Sequence, residues 1–543
     1  MQADILSRFP RLRLEMSRPV AAFLFAIAAF LSRFKYIKSN LLDGLVYFAD
    51  PDCYTRLYRV KRVLLGHTWF QPWHSFENYP YGIPVHTTAL LDWLLALLAL
   101  VFKALPATSA DALDWAGFYI GPLVAAWTAV ALYYLTLDFK PAWARLPLLW
   151  TYILSPMLIW STASARPDHQ CLIVSLLILA FAFELKRWEK PEFHLWAGLV
   201  WGLALWTSLF EPLLFLMVLL AVNLCLRRGE DRRFWMPLLV VAGTTLLLEG
   251  IRWQAYLGMA EPLAKNWMTT IGELQPENLT WMPRYGYGFF KYGFAVFLLP
   301  LLLLVFRKQK SWRQPATLML LLSTALSFVL AILQVRWGYF FAAASMFSVF
   351  LVLPENLKSG WKWALASFFL LIHFAPMLDW NISELEDAGR PSDLVEIRKA
   401  ASQIKTTERS ILAPWWFSPA LLYYSGAPIV ASSSHESIDG ISDSARFFTT
   451  RSFPEAEAIL NKRKAGWVLL YWPERLYRNS RQILTGKKFT EIESPDRDRL
   501  RIVSVRLFEY IAVPASFRLA YASRNFLLYR YEQPPGGQDL PSR

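Results

Sequence analysis

Two aspartates frame a proline at Asp50-Pro51-Asp52, and Arg56 follows in the run DPDCYTR. Carboxylates at this spacing can hold a hard divalent ion such as Mg²⁺ or Mn²⁺ through oxygen. A solvated loop start is the competing reading. A second stretch, SARPDHQ, sets Arg166, Asp168, His169 and Gln170 side by side. Asp168 can join a cation site or cap the helix that begins after it, and His169 adds an imidazole. Glu273 lies in TIGE, among aromatic and turn residues. Arg336 lies in LQVRWGYF between two apolar runs, where a charge is expensive without an anionic partner. A guanidinium there matches a lipid phosphate or pyrophosphate with two parallel hydrogen bonds. A snorkelling arginine is the competing reading. Asn278-Leu279-Thr280 matches a glycosylation acceptor triplet, a pattern frequent by chance.

The elements that must position these residues are mostly apolar. Of 543 residues, 55% are hydrophobic and only 18% are charged, against about a quarter in soluble domains. The apolar runs lie almost entirely before Asp379. A crossing helix needs roughly 20 such residues. The candidates are 19–33, 113–137, 143–162, 170–185, 193–209, 212–226, 234–251, 288–306, 315–333, 337–354 and 361–378. The first follows Arg8, Arg11, Arg13 and Arg18 without a small-residue cleavage site and reads as a retained anchor. Basic clusters between the runs are Lys140 and Arg145; Lys186, Arg187 and Lys190; Arg227, Arg228, Arg232 and Arg233; Arg307, Lys308, Lys310 and Arg313; and Lys358 and Lys362. About eleven crossings with a cytoplasmic N-terminus put every cluster on the inner side.

Residues 85–104 are apolar enough to cross, but counting them would invert everything downstream. Asp92 also interrupts the run. They read as an interfacial or re-entrant helix within the first outer loop. The expected organisation is a membrane part, 1–378, with outer loops 37–112, 163–169 and 252–287. An outer α/β domain, 379–543, follows, in which VLLYW and SVRLFEYIAV read as strands and FPEAEAILNKRK as a helix. Asp50, Asp168 and Glu273 thus fall on one face.

The net charge of +14 fits cytoplasmic loops and contact with anionic lipids. The basic residues form no stripe with interleaved aromatics, which argues against nucleic acid. Cys53, Cys171 and Cys225 are too few and too scattered for a disulfide framework or a zinc motif.

In order and common side, these motifs resemble the catalytic subunits of oligosaccharyltransferases, of the single-subunit bacterial or archaeal type. Asp50-Pro51 with Tyr54 and Arg56 is similar to the family's first acidic motif, and Asn78-Tyr79-Pro80-Tyr81-Gly82 continues the likeness. Asp168 takes the place of the second acidic motif. Thr270–Glu273 matches the TIxE-type motif, and Arg336 an arginine held near the lipid-linked donor. The run APWWFSPALLYYSG resembles the WWDYG region, with Trp415 and Trp416 kept.

The resemblance implies a polytopic α-helical membrane protein of GT-C-like fold, about 11–13 transmembrane helices, with a C-terminal soluble α/β domain. It implies a glycosyltransferase in the bacterial inner membrane, its C-terminal domain periplasmic. That enzyme moves a sugar from a polyprenyl-(pyro)phosphate donor to a protein acceptor, with Mn²⁺ or Mg²⁺. Asp50, Asp168 and His169 would bind the metal, Arg56 and Arg336 the donor, and Trp415, Trp416 and Glu273 the acceptor. Asp50, Glu273 and Arg336 would be catalytic.

Three positions depart from the pattern. Phe417 replaces the aspartate of WWD, which in the family reads the acceptor hydroxyl. Gln170 replaces a carboxylate in the second acidic motif. Ser161 stands where an arginine is usual, with Arg166 nearby. Phe417 favours an alternative in which the acceptor is a lipid or glycan. A lipid-linked sugar transporter or flippase is a third reading, and a catalytically dead scaffold a fourth.

Overall fold

The structure is a computed structural model. It describes residues 17–35, 37–226, 231–250, 261–276, 299–305, 314–368, 370–371, 389–492 and 499–533. The apolar runs become helices: α1 Arg18–Ser32, α2 Pro51–Leu64, α3 Leu90–Lys103, α4 Ala112–Leu135, α5 Arg145–Leu154, α6 Pro156–Ser161, α7 His169–Arg187, α8 Phe193–Thr207, α9 Phe210–Cys225, α10 Arg232–Glu249, α11 Pro262–Met268, α12 Pro315–Leu333 and α13 Gly338–Leu351. Proline stands at the start of α2, α6, α11 and α12, where its missing N–H costs nothing. The expected single helix 143–162 is two. Pro156 cannot donate, and it forces Ser155 into extended backbone between α5 and α6.

Among the described residues, α4, α7 and α12 are long and apolar enough to cross a bilayer. Leu224 on α9, Leu246 and Leu247 on α10, and Val329 and Leu333 on α12 point outward and are exposed. Apolar outer faces of this extent suit lipid rather than water. Helix α3 has 14 residues. At about 1.5 Å per residue it falls short of a bilayer core of about 30 Å. Its Asp92 is a counter-ion: one carboxylate meets Arg56 and Arg59 of α2, each at 2.7 Å, and all three side chains are buried.

Of run 288–306, Leu299–Val305 is described and helical; of run 361–378, residues 372–378 lie outside the described residues. So do the 378/379 boundary, the triplet Asn278–Thr280, Arg8, Arg11, Arg13, Arg227, Arg228, Arg307, Lys308, Lys310 and Arg313.

The C-terminal part is α/β: α14 Gly389–Ser402, β1 Ser410–Leu412, α15 Ser418–Ser425, α16 Ile438–Thr449, α17 Phe453–Lys462, β2 Ala465–Tyr471, α18 Pro473–Thr485, α19 Val503–Phe508, β3 Phe517–Ala522 and β4 Phe526–Tyr531. The sheet runs β1-β2-β4-β3, with β1 parallel to β2 and the other pairs antiparallel. Every residue of β2 is buried, as expected of a strand covered on both faces. The strand expected over SVRLFEYIAV is instead α19 followed by turns. Val503, Val505 and Leu507 alternate as in a strand, yet Val503 and Leu507 also share a helix face. The Val503 N–H donates to Thr450 O, and Ser504 Oγ to Phe448 O, holding the segment as a helical turn against the end of α16.

The two parts are joined closely. Helix α15 lies on α2. Tyr423 donates to buried Asp114 of α4, Tyr58 OH to Gly426 O at 3.3 Å, and Lys61 Nζ to Tyr423 O at 3.3 Å. The buried Arg463 guanidinium bonds Asp443 at 2.7 Å and Asn78 Oδ1 at 2.8 Å, which ties the segment between α2 and α3 to α16. Gly440 is required there, because a Cβ would sit 1.8 Å from Val430 O.

Removing Asp92 leaves two buried guanidiniums without their carboxylate, a change that typically costs about 3–5 kcal/mol. Asp92→Ala is therefore expected to lower the apparent melting temperature of the detergent-purified chain by several degrees. The triple change Asp92→Leu, Arg56→Met, Arg59→Met is expected to recover most of the loss. An Asp92→Ala protein as heat-stable as wild type would contradict this role.

Candidate active site

The loop from α6 to α7 is fixed from three sides. Buried Arg33, at the end of α1, donates to Thr162 Oγ1, Ile153 O and Tyr152 O. Ser164 N–H donates to Arg33 O, and Ala165 N–H to Phe118 O of α4. Gly121 of α4 admits the loop, since a Cβ there would lie 2.7 Å from the carbonyl oxygens of Thr162 and Ala163. The Ala49 N–H donates to Ala165 O, and this sets the Asp50 loop beside it.

Arg166 is the hub of what this scaffold presents. Its Nε donates to Asp50 Oδ2 at 2.6 Å, one terminal nitrogen to Gln170 Oε1 at 2.8 Å, and the other to Trp160 O at 3.2 Å. The guanidinium lies over the Trp160 ring at 4.8 Å and the Tyr339 ring at 5.5 Å. Gln170 Nε2 reaches Glu273 Oε2 at 3.4 Å. Residues of three expected outer loops are thereby linked as Asp50–Arg166–Gln170–Glu273. Glu273 rides on a tight turn after α11. Gln275 staples this turn by donating to Met268, Thr269 and Ile271 carbonyls, and its own carbonyl accepts from Val335 N–H. Arg336 follows there. It pairs with Glu211, in the first turn of α9, at 2.9 Å, and a quarter of its side chain is exposed.

Asp168 caps α7. Its Oδ1 accepts from the backbone N–H of His169 at 2.6 Å and meets His169 Nδ1 at 2.7 Å. Burial opposes its ionisation, but His169, then Arg166 and Arg56, hold the carboxyl well below its usual range. Asp52 lines a cavity of about 60 Å³, also lined by Arg56, His86, Asp168, His169 and Glu436. It is exposed toward this cavity. Partial desolvation by the surrounding protein, then the charges of Asp168, Glu273 and Asp50, push its carboxyl up to about 7, although Ser433 hydrogen-bonds to it.

The expected metal trio Asp50, Asp168 and His169 does not close into one ligand cluster. Arg166 stands between the two aspartates, 2.6 Å from Asp50 and 4.0 Å from Asp168, and the His169 Nδ1 is taken by Asp168. Among the described residues, the metal-capable group of histidine and acid is His86, His435 and Glu436. Arg56, expected on the donor, has Asp92 as its ion-pair partner and reaches the cavity only as part of its wall.

Trp415 and Trp416 line a separate cleft with Ile441, Ala445, Leu476 and Ile483. Trp267 of α11 meets Trp415 edge-on, with ring centroids 5.5 Å apart, so the turn bearing Glu273 and the tryptophan motif share one wall. Gln482 of α18 donates to Thr269 and fastens the same turn. Phe417 faces the other way. It packs on Tyr471 and Phe526 within the sheet core and is buried.

The sequence pattern gave Arg166 only a place near Ser161, where an arginine is usual, and did not single out Glu211. Its place two residues before Asp168 was the available signal for Arg166. Nothing local marks His86, His435 and Glu436, which meet across some 350 residues.

The Asp52 carboxyl supplies a pH dependence. An unfolded aspartate titrates near about 4. With the folded value raised to about 7, its contribution to stability is complete below about 4 and is lost as pH rises through about 7. In chelator, the apparent melting temperature of Asp52→Asn is expected to gain on wild type between pH 5 and pH 8. Excess Mn²⁺ should narrow the gap at pH 8. A gap independent of pH would contradict the crowding of these acids.

The sequence matches no protein-family profile. A stretch of 176 residues, 31% of the chain, is 23% identical to dolichyl-phosphooligosaccharide-protein glycotransferase 1 of Archaeoglobus fulgidus and spans 27% of that protein. The fold is similar over 94% of the chain to the archaeal oligosaccharyltransferase AglB of the same organism, solved with an inhibitory peptide and a dolichol-phosphate. The TM-score is 0.65 at 14% identity, covering 80% of that structure. It is also similar to ArnT from Cupriavidus metallidurans, solved with undecaprenyl phosphate, over 93% of the chain and 97% of that structure, with a TM-score of 0.53 at 12% identity. With its bundle of apolar helices carrying an α/β part on one end, the chain has the fold of the GT-C membrane glycosyltransferases.

Proposed function

We propose that the chain is an integral membrane glycosyltransferase working at the outer face of the bacterial inner membrane. It transfers a sugar or oligosaccharide from a polyprenyl-phosphate or -pyrophosphate donor. The observation that carries this reading is the linked set Asp50, Arg166, Gln170 and Glu273 beside an acid-lined cavity, between the helical bundle and the α/β part. The lipid phosphates in the AglB and ArnT structures support a lipid-linked donor.

The residues present fit a hard divalent cation. Asp50, Asp52, Asp168 and Glu273 crowd their charges enough to raise Asp52, and the donor set is oxygen-rich, which suits Mg²⁺ or Mn²⁺. Asp168, helped by Asp52, would hold it, and Asp50 would join them by exchanging its bond to Arg166 for the ion. When bound, the cation supplies neutralisation of charge on the departing phosphate. Arg336, with its partly exposed guanidinium, binds the donor phosphate. Arg166 sets the distance between the Asp50 and Glu273 carboxylates, and these two accept hydrogen bonds from the incoming nucleophile and orient it. Trp415 and Trp416 form the wall that the acceptor reaches, beside the Glu273 turn.

Protein is the first acceptor to test. The second reading, a lipid or glycan acceptor, rests on Phe417. Its ring cannot accept a hydrogen bond from an acceptor hydroxyl, and it is spent on packing against Tyr471 and Phe526.

The test is transfer of label from a radiolabelled polyprenyl-linked glycan to membrane acceptors, with and without Mn²⁺. Asp168→Asn is expected to reduce transfer by about 10²–10³-fold, the range for losing one group that stabilises developing charge. Label in protein supports the first acceptor, and label in lipid or polysaccharide the second. Donor bound but never transferred, under any metal, would overturn the enzyme and favour a transporter.

A further inference from the structure

A second group of ligand-type side chains borders the same cavity, which His86 and Glu436 line. His86 belongs to the first outer loop. His435 and Glu436 belong to the turn before α16. Their donor atoms lie within 4.8 Å of one another, against about 3.3 Å between ligands of a tetrahedral ion with bonds near 2.0–2.1 Å. Small side-chain adjustments close that difference. The His86 and His435 rings stand beside each other, with centroids 4.9 Å apart. Glu436 Oε1 meets the backbone N–H of His86 at 3.2 Å and its Nδ1 at 2.6 Å, and Oε2 lies 3.4 Å from His435 Nδ1.

Two features mark this as a built site rather than a chance meeting. The Glu436 side chain is 3% exposed, and its Oε2 has no hydrogen-bond partner among the described residues. With only the His435 imidazole at 3.4 Å and no hydrogen bond, such a buried carboxylate oxygen is stabilised by a cation close by. The segment that carries His86 is also rigid. Thr87 accepts from Arg59, Thr88 Oγ1 donates to Thr207 O, and the Ala89 N–H donates to buried Glu249, which also accepts from Trp206 Nε1. Ligands supported in this way by second contacts are the rule at metal sites.

We propose that His86, His435 and Glu436 bind a divalent cation of borderline softness, Zn²⁺ being the best match, at a site separate from the Asp50–Asp168 carboxylates. The donor types decide the class. Two imidazoles and one carboxylate suit Zn²⁺, whereas the oxygen-only carboxylate set suits Mg²⁺ or Mn²⁺. Three protein ligands leave a fourth position, and because His86 and Glu436 line the cavity, that position opens onto it. The ion ties the first outer loop to the α/β part and so fixes the width of the cavity between them.

The test is direct metal binding by the full-length chain in detergent, stripped with chelator and titrated with Zn²⁺. Bound zinc is counted by mass spectrometry, and the apparent melting temperature is followed alongside. Wild type is expected to hold about one Zn²⁺ per chain at this site and to melt higher with it. His435→Gln and Glu436→Gln should each weaken binding at least tenfold and abolish the zinc-dependent rise. His86→Gln is a third variant should either misfold, and the metal-free melting temperature identifies a misfolded one. Asp168→Asn should bind Zn²⁺ as wild type does. Equal binding by wild type and the folded His435→Gln or Glu436→Gln variants would overturn the proposal, as would loss of zinc in Asp168→Asn. Glycosyl transfer is not read, so failure here is distinct from failure of the proposed activity.

Discussion

Arg166 standing among a group of converging acids is the interaction on which the rest of the site depends. Asp50, Asp168 and Glu273 come from segments far apart in sequence, and nothing in their own chemistry holds them together. Like charges in a protein interior repel with little screening. A guanidinium offers five donors in a fixed plane. Arg166 uses that plane on Asp50, on Gln170 and on the Trp160 carbonyl, while two aromatic rings cover its faces. Gln170 extends the reach to Glu273. A carboxylate at position 170 would have added a further negative charge and a possible ligand. The amide instead accepts from Arg166 and donates to Glu273 at once, which a carboxylate cannot do. The departure at Gln170 therefore shifts the site from ligand density toward bridging.

The same economy of charge governs the surroundings. Asp92 holds Arg56 and Arg59, Glu211 holds Arg336, and Asp443 holds Arg463. Each pair joins elements that are separate in sequence. Arg336 is the exception in degree. It lies at the mouth of a helix pair with part of its guanidinium exposed, so it can take a second anion without losing Glu211. The aromatic contacts of α15 with α2 and the Asn78–Arg463 bond hold the α/β part over this arrangement. The cavity between the two parts is thus a consequence of their docking.

Much of this was legible in the sequence. Apolar run lengths foretold α4, α7, α8, α9, α10, α12 and α13 to within a few residues, because the solvent they face leaves helices few alternatives. The convergence of Asp50, Asp168 and Glu273 followed from charge bias between the runs. The break at Ser155-Pro156 was visible in principle, since proline forbids the continuous helix. The helix over 503–508 was not, because three alternating apolar residues satisfy both periods and the Thr450 and Phe448 contacts decide between them. Pairings were the least legible. Asp92 looked like a flaw in an apolar run and is a counter-ion. His86 meets Glu436 only because the chain returns there after crossing the whole bundle.

Phe417 shows how such a return can redirect chemistry. At the end of the tryptophan motif the backbone turns into α15, and the side chain at 417 has two options: the cleft of Trp415 and Trp416, or the sheet core. An acid at 417 would be expensive in that core, between Tyr471 and Phe526, without a partner. A phenyl ring finds there two edge-on contacts, with centroids 5.1 and 5.2 Å away, each worth about 0.5–1.5 kcal/mol. Packing therefore favours the core, and the cleft loses its acceptor group. What remains is a mixed wall in which Ser444 and Ser480 stand beside the two tryptophans, with the Trp415 indole N–H already given to Asn479. On the proposed function, the chemistry of transfer and the choice of acceptor would fall to separate structures, the Arg166 hub on one side of the Glu273 turn and the tryptophan cleft on the other.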